Sequence, residues 1–86
     1  MTKDYEEEII EILSEMMRNP QEIEITVGGI TEIINQNLPF YSKLEPRLIG
    51  DRLRSMGFKP YKKRNGFTVN IYKERYLIED LKKSML

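Results

Sequence analysis

Asn65-Gly66 constrains this chain more than any other pair of its residues. An Asn-Gly dipeptide between two extendable stretches is the strongest short-range signal for a β-hairpin, because both central residues of a type I′ turn need positive φ. After it, Phe67, Val69 and Ile71 alternate with Thr68, Asn70 and Tyr72, the period of a strand with one apolar face. Before it stand Lys59, Lys62, Lys63 and Arg64, with Pro60 among them. Proline cannot donate to a ladder, so the incoming strand is expected at a sheet edge. The outgoing strand, through Phe67, Val69 and Ile71, is expected to anchor this charged hairpin to a core.

The remaining segments are mostly helical in pattern. In residues 4–18, Tyr5, Ile9, Ile12, Leu13, Met16 and Met17 recur at helical spacing, and Ile10 widens the stripe enough to meet neighbours on two sides. Asp4 and Glu7 form a capping-box pattern at its start, and Asn19-Pro20 ends it. Residues 23–27 predict a very short strand. Thr26 then caps a second helix from Val27 to about Gln36, with Val27, Ile30, Ile33 and Ile34 as its buried face. A third helix begins with Glu45 as cap and Pro46 at its first position, buries Leu48, Ile49, Leu53 and Met56, and stops at a left-handed Gly57. Residues 73–85 predict a fourth helix, with Tyr76, Leu77, Asp80 and Leu81 on one side and Ile78 flanking. The expected order is helix, short strand, helix, helix, hairpin, helix, an α+β domain spanning residues 1–86.

Composition removes several function classes. The 86 residues contain neither cysteine nor histidine. Disulfides, thiolate metal sites, Cys/His or Ser/His/Asp catalysis and imidazole ligation are therefore excluded. Gly28-Gly29 lacks the Gly-Lys-Ser/Thr of a phosphate loop, and Glu6, Glu7 and Glu8 lack calcium-loop spacing. The chain is not expected to be an enzyme, and no cofactor or metal is expected. No apolar run approaches the roughly 18 residues of a membrane span and nothing resembles a signal peptide, so an intracellular, cytoplasmic protein with no membrane contact is expected.

Formal neutrality conceals a separation of charge. Residues 1–42 hold two cations and nine anions, a net −7, whereas residues 43–86 hold twelve cations and five anions, a net +7. Segment 43–64 alone is +6. Such halves suit a polyanion-binding face joined to an acidic face, or two ordinary surfaces that pair with one another.

Residues 44–72, LEPRLIGDRLRSMGFKPYKKRNGFTVNIY, carry a resemblance. Leu44 and Pro46-Arg47 open a helix; Ile49-Gly50, Leu53 and Met56-Gly57-Phe58 follow; basic residues and Gly66 then precede an alternating strand. This stretch resembles the winged helix-turn-helix, and within it the modules appended to replicative helicases and primase-helicases of mobile elements. The resemblance is close over about a third of the chain and extends to most of the rest by topology. It implies a three-helix core with a short strand, a hairpin wing and an extra C-terminal helix. It also implies DNA binding, with the third helix in the major groove of a duplex and the wing on backbone or minor groove.

Helical geometry reaches a related expectation. At roughly 100° per residue, the apolar face of the third helix leaves Arg47, Gly50, Asp51 and Arg54 on the opposite side. Arg47 and Arg54 are candidates for base or phosphate contact. Gly50 either admits close backbone approach to a groove or serves helix–helix packing. Asp51 either accepts from cytosine and orients the arginines or forms a plain surface ion pair. Arg52 lies at the edge of the apolar face, where its stem packs and its head reaches solvent. In the wing, Lys59, Lys62, Lys63, Arg64 and Asn65 are candidate DNA contacts, and each phosphate neutralised adds salt-dependent affinity. Edge charge that blocks strand aggregation is the competing role for residues 62–64. Tyr61 either stacks on a sugar or base or covers the sheet edge. A parent ATPase or helicase domain, or a second copy, are further candidate partners. The rival function is a protein-interaction or dimerisation module acting through the acidic first helix.

Overall fold

The computed structural model describes residues 5–19, 21 and 23–85. They form four helices, α1 (Glu6–Met17), α2 (Val27–Asn35), α3 (Pro46–Ser55) and α4 (Arg75–Met85), and three strands, β1 (Glu24–Thr26), β2 (Tyr61–Lys63) and β3 (Gly66–Asn70). The architecture is α+β, in the element order expected from sequence. The strands make one antiparallel sheet in the order β1-β3-β2. β2, which follows Pro60, is an edge strand as expected. Among the described residues no helix is long and apolar enough to cross a membrane.

A single apolar cluster ties the helices to the sheet. Ile9, Ile10 and Leu13 of α1, Val27, Ile30 and Ile34 of α2, Ile49 and Leu53 of α3, Val69 of β3 and Ile78 of α4 are all buried, with Phe58 and Ile71 from the connections. The broad stripe of α1 meets both α4 and α2, while α2 packs on α3 and on β3. The expected cap Asp4 lies outside the described residues. Tyr5 occupies the N-cap position with φ 64°, and Glu6, Glu7 and Glu8 fill the first turn, where negative charge suits the helix dipole.

The helix boundaries of α2 and α3 follow from local chemistry. Thr26 Oγ1 accepts from Gly29 N at 2.9 Å, the expected N-cap bond. Gly57 has φ 104°, Gly57 N donates to Arg54 O at 3.1 Å and Phe58 N to Leu53 O at 3.0 Å, which together make a Schellman end. Phe58, immediately beyond it, is buried and carries the chain from α3 back to the core. At the start of α3, Pro46 holds the first position, but Glu45 makes no side-chain cap bond. Between α2 and α3, a 3₁₀ turn at Phe40–Ser42 projects outward. Asn35 closes the base of this loop: its Nδ2 donates to Leu44 O at 3.0 Å and its Oδ1 accepts from Leu44 N at 2.8 Å.

Several expected positions differ. Ile33 of α2 is exposed, and Thr31 is buried instead, its Oγ1 bonded to Val27 O at 2.8 Å. A nine-residue helix packed along one side buries positions 27, 30, 31 and 34, and Ile33 lies about 100° from that line. In α4, Ile78 is the buried centre and Tyr76 is exposed, because α1 packs across the Ile78 side. The hairpin turn is also different. Lys63 pairs with Gly66, so Arg64 and Asn65 are the two central residues, and Gly66 alone has positive φ, at 108°. This is the pattern of a turn without left-handed central residues followed by a bulge glycine, not the type I′ turn centred on Asn65-Gly66.

Candidate functional site

Strand parity sorts the basic residues of the hairpin. In antiparallel pairing, residues directly opposite each other point to the same face. Lys62 pairs with Phe67 and therefore shares the face of Phe67 and Val69, the side covered by α2. Tyr61 pairs with Thr68 and Lys63 with Gly66, so these point to the outer face together with Glu24, which pairs with Asn70. Lys62 and Lys63 are neighbours in sequence and lie on opposite sides of the sheet.

On the outer face Glu24 is the hub. Lys63 Nζ donates to both of its carboxylate oxygens, at 2.9 and 2.7 Å, and the Tyr61 hydroxyl donates to Oε2. Lys63 first, and the Tyr61 hydroxyl second, hold the Glu24 carboxyl below its ordinary value of 4.5. Glu24 in turn raises the Lys63 ammonium above 10.5 and the Tyr61 phenol above 10.0. The signs give a testable pH dependence. The Glu24 contribution is complete above pH 4.5 and is lost as pH falls through its lowered folded value. The Lys63 contribution is complete below pH 10.5 and is lost as pH rises through its raised value. Thermal unfolding of Glu24→Gln and of the parent chain should therefore differ most near neutrality, and the difference should shrink below pH 4.5. A difference unchanged down to pH 3, on the order of one unit below that value, would show that ionised Glu24 contributes nothing.

On the other face the third helix and the hairpin meet across an open groove of about 420 Å³. Arg47 and Arg54 of α3, Gly28 in the first turn of α2, and Asn65 and Phe67 of the hairpin line it. Arg54 crosses this space: its guanidinium lies 5.1 Å from the centroid of the Phe67 ring, and Nη1 is 3.5 Å from Asp51 Oδ1. Cation–π contact and the carboxylate together orient a side chain that is otherwise free to rotate. Phe67 is 44 % exposed, a correction to its expected place in the core. The hairpin tip extends past the buried cluster, so only Val69 and Ile71 of the alternating set reach it. Thr68 is buried instead, being flanked by β1 and β2 on the central strand.

The other candidate residues fall as follows. Arg47, Asp51 and Arg54 are exposed on one side of α3, as expected. Gly50 is buried, as the helix–helix packing alternative expects: a methyl group there would meet Arg54 Nη1 at 3.4 Å and Val27 Cγ1 at 3.7 Å. Its lack of a side chain serves the approach of α2 and the passage of Arg54. Arg52 is half-buried, and its Nε is buried without a hydrogen-bond partner, in keeping with a packed stem. Lys62, Arg64 and Asn65 are exposed at the hairpin end. Lys59 is exposed at the hairpin base, where its backbone N–H donates to Glu74 Oε2 at 3.3 Å. Tyr61 is half-buried against Glu24, which fits the edge-covering role.

Sequence reasoning missed the placement of four residues. Glu24 is 39 residues from Lys63, and no local pattern links them. The alternation of Phe67 with Val69 and Ile71 points to the core, whereas its ring lies in the groove. Phe40 and Tyr41, each 88 % exposed, stand in what sequence shows only as a connection. Two adjacent aromatics before a Pro-initiated helix were the available signal. The chain matches no family model, no curated protein and no solved structure.

Proposed function

We propose that this chain is a winged helix-turn-helix DNA-binding module, part of a DNA replication protein of the helicase type or of a regulatory protein. In this reading α3 is the recognition helix and β2–β3 the wing. The element order, the short connection from α2 to α3 and the hairpin directly after α3 support it. The observation that carries it is convergence: Arg47 and Arg54 from the helix, and Asn65 and Phe67 from the hairpin, border one groove although they come from separate elements, and Lys62, paired with Phe67, lies on the same face of the sheet. Double-stranded DNA is the ligand such a face suits, with a helix placing arginines toward base edges or phosphates and a hairpin tip holding the flanking backbone.

Strand parity refines the wing. Lys62 and Arg64 act on phosphate, whereas Lys63 is held by Glu24 on the outer face. The salt dependence of duplex binding separates them, since each phosphate contact contributes about 0.9 to the slope of log K against log salt. Lys62→Ala should lower that slope by about one, and Lys63→Ala should leave it near the parent value. Equal loss of slope in both would overturn the parity argument. No duplex binding by the parent chain at low salt would overturn the function itself.

A further inference from the structure

A second groove, of about 380 Å³, lies between α1 and the C-terminal end of α2 and shares no lining residue with the first. Its floor is apolar: Ile12, Ile34 and Leu38, with Ile33 beside them at 39 % exposure. Its rim is acidic. Glu8, Glu11 and Glu15 fall within about 60° of arc on α1, directly beside Ile12, when each residue advances by 100°. No lysine or arginine lines the groove among the described residues. Arg18 lies just beyond the row and pairs with Glu15 at 3.1 Å.

We propose that this groove docks a basic amphipathic helix of a protein partner. An apolar trough between two helices receives the i, i+3/i+4, i+7 anchors of such a helix. Three carboxylates in line along one rim select lysine or arginine flanking those anchors and repel nucleic acid. A second copy of this chain is a poor occupant. Its cations concentrate on α3 and the hairpin, and α4, which ends in Lys82 and Lys83, already commits Ile78 to its own core. The exposed Ile33 has a role here that the packing of α2 does not provide. This inference is independent of the DNA reading, because it uses the other end of α2.

The test uses the whole chain and a synthetic helical peptide of about 18 residues, with leucines at the anchor spacing and lysines on their flanks. A scrambled peptide of the same composition is the control. Amide shifts confined to the groove, at Ile12, Ile33, Ile34 and Leu38, are expected with the first peptide only. Glu11→Gln with Glu15→Gln should weaken binding about 2- to 30-fold by titration calorimetry, as two surface charge interactions imply. Ile33→Gln, at a position already exposed, should weaken it independently without unfolding the chain. Equal binding of the scrambled peptide, shifts at residues 47–67 instead, or undiminished affinity of the variants would each overturn the proposal. So would the same shifts appearing with protein concentration alone, since a second copy would then fill the groove.

Discussion

Replacing Arg47 and Arg54 together by alanine is expected to abolish most duplex DNA binding while leaving the fold intact. A well-made arginine contact to a base or phosphate contributes about 1–3 kcal/mol. Two such losses amount to about 2–6 kcal/mol, or roughly 30-fold to 10⁴-fold in Kd. Both side chains are exposed, so thermal stability should change little by comparison. Arg54→Lys is the sharper single variant. It keeps the charge but loses the planar group that lies over Phe67 and faces Asp51, so affinity should fall even though net charge does not. Fluorescence anisotropy with a labelled duplex at fixed salt measures both. Superimposable titrations for the double variant and the parent would remove α3 from the interface.

Leu53→Ala should have the largest effect on stability. Leu53 is fully buried on α3, one residue before Arg54, and its carbonyl accepts the Phe58 N–H that closes the helix. Truncating a buried leucine to alanine costs about 2.7–5 kcal/mol, of which the residual cavity is a large part. A domain of this length has a total stability of about 4–13 kcal/mol. The variant is therefore expected to lose about a fifth or more of its folding free energy and to unfold at least 10 °C lower, on the order of 4–8 °C per kcal/mol. Urea unfolding followed by far-UV circular dichroism checks this. Leu53→Met, which conserves volume, should cost less than about 1.5 kcal/mol. A loss below 1 kcal/mol for the alanine variant, roughly the median for all substitutions, would mean that α3 is not seated as described.

What could be read from sequence divides along the range of the interactions involved. Thr26, Pro46 and Gly57 mark helix ends through bonds made within three or four residues, and their positions were legible. The apolar stripes of α1 and α3 were legible for the same reason. Ile33 was not, because the width of a buried stripe depends on how many neighbours a helix has. For Gly50 both alternatives were legible but not the choice between them, because its burial comes from Val27, 23 residues earlier in the chain. The basic run 62–64 was visible as charge. Its partners across the sheet need the register of β2 on β3, and that register is set by where the turn falls. The turn lies one residue earlier than the Asn-Gly signal implies. Moving a two-residue turn by one position shifts each cross-strand partner by two residues, here Lys62 from opposite Val69 to opposite Phe67, and so preserves parity: Lys62 faces the groove in either register. The acidic first half was also visible, but not the apolar floor beneath its row of glutamates.

The bond pair between Asn35 and the backbone of Leu44 has a wider consequence. It joins the end of α2 to the approach of α3 directly, so residues 36–43 are bypassed mechanically. Lys43 Nζ, which donates to Asn35 O at 3.3 Å, adds a second tie across the same base. The exposed positions 40 and 41 can therefore change in composition with little effect on the helix pair, whereas Leu38 of the same loop packs on the core. In such an arrangement the loop is a cassette and the helix pair a fixed frame. Diversity in what the chain contacts can accumulate at positions 40 and 41 while Asn35 and the packing of α3 on α2 hold the orientation of Arg47 and Arg54.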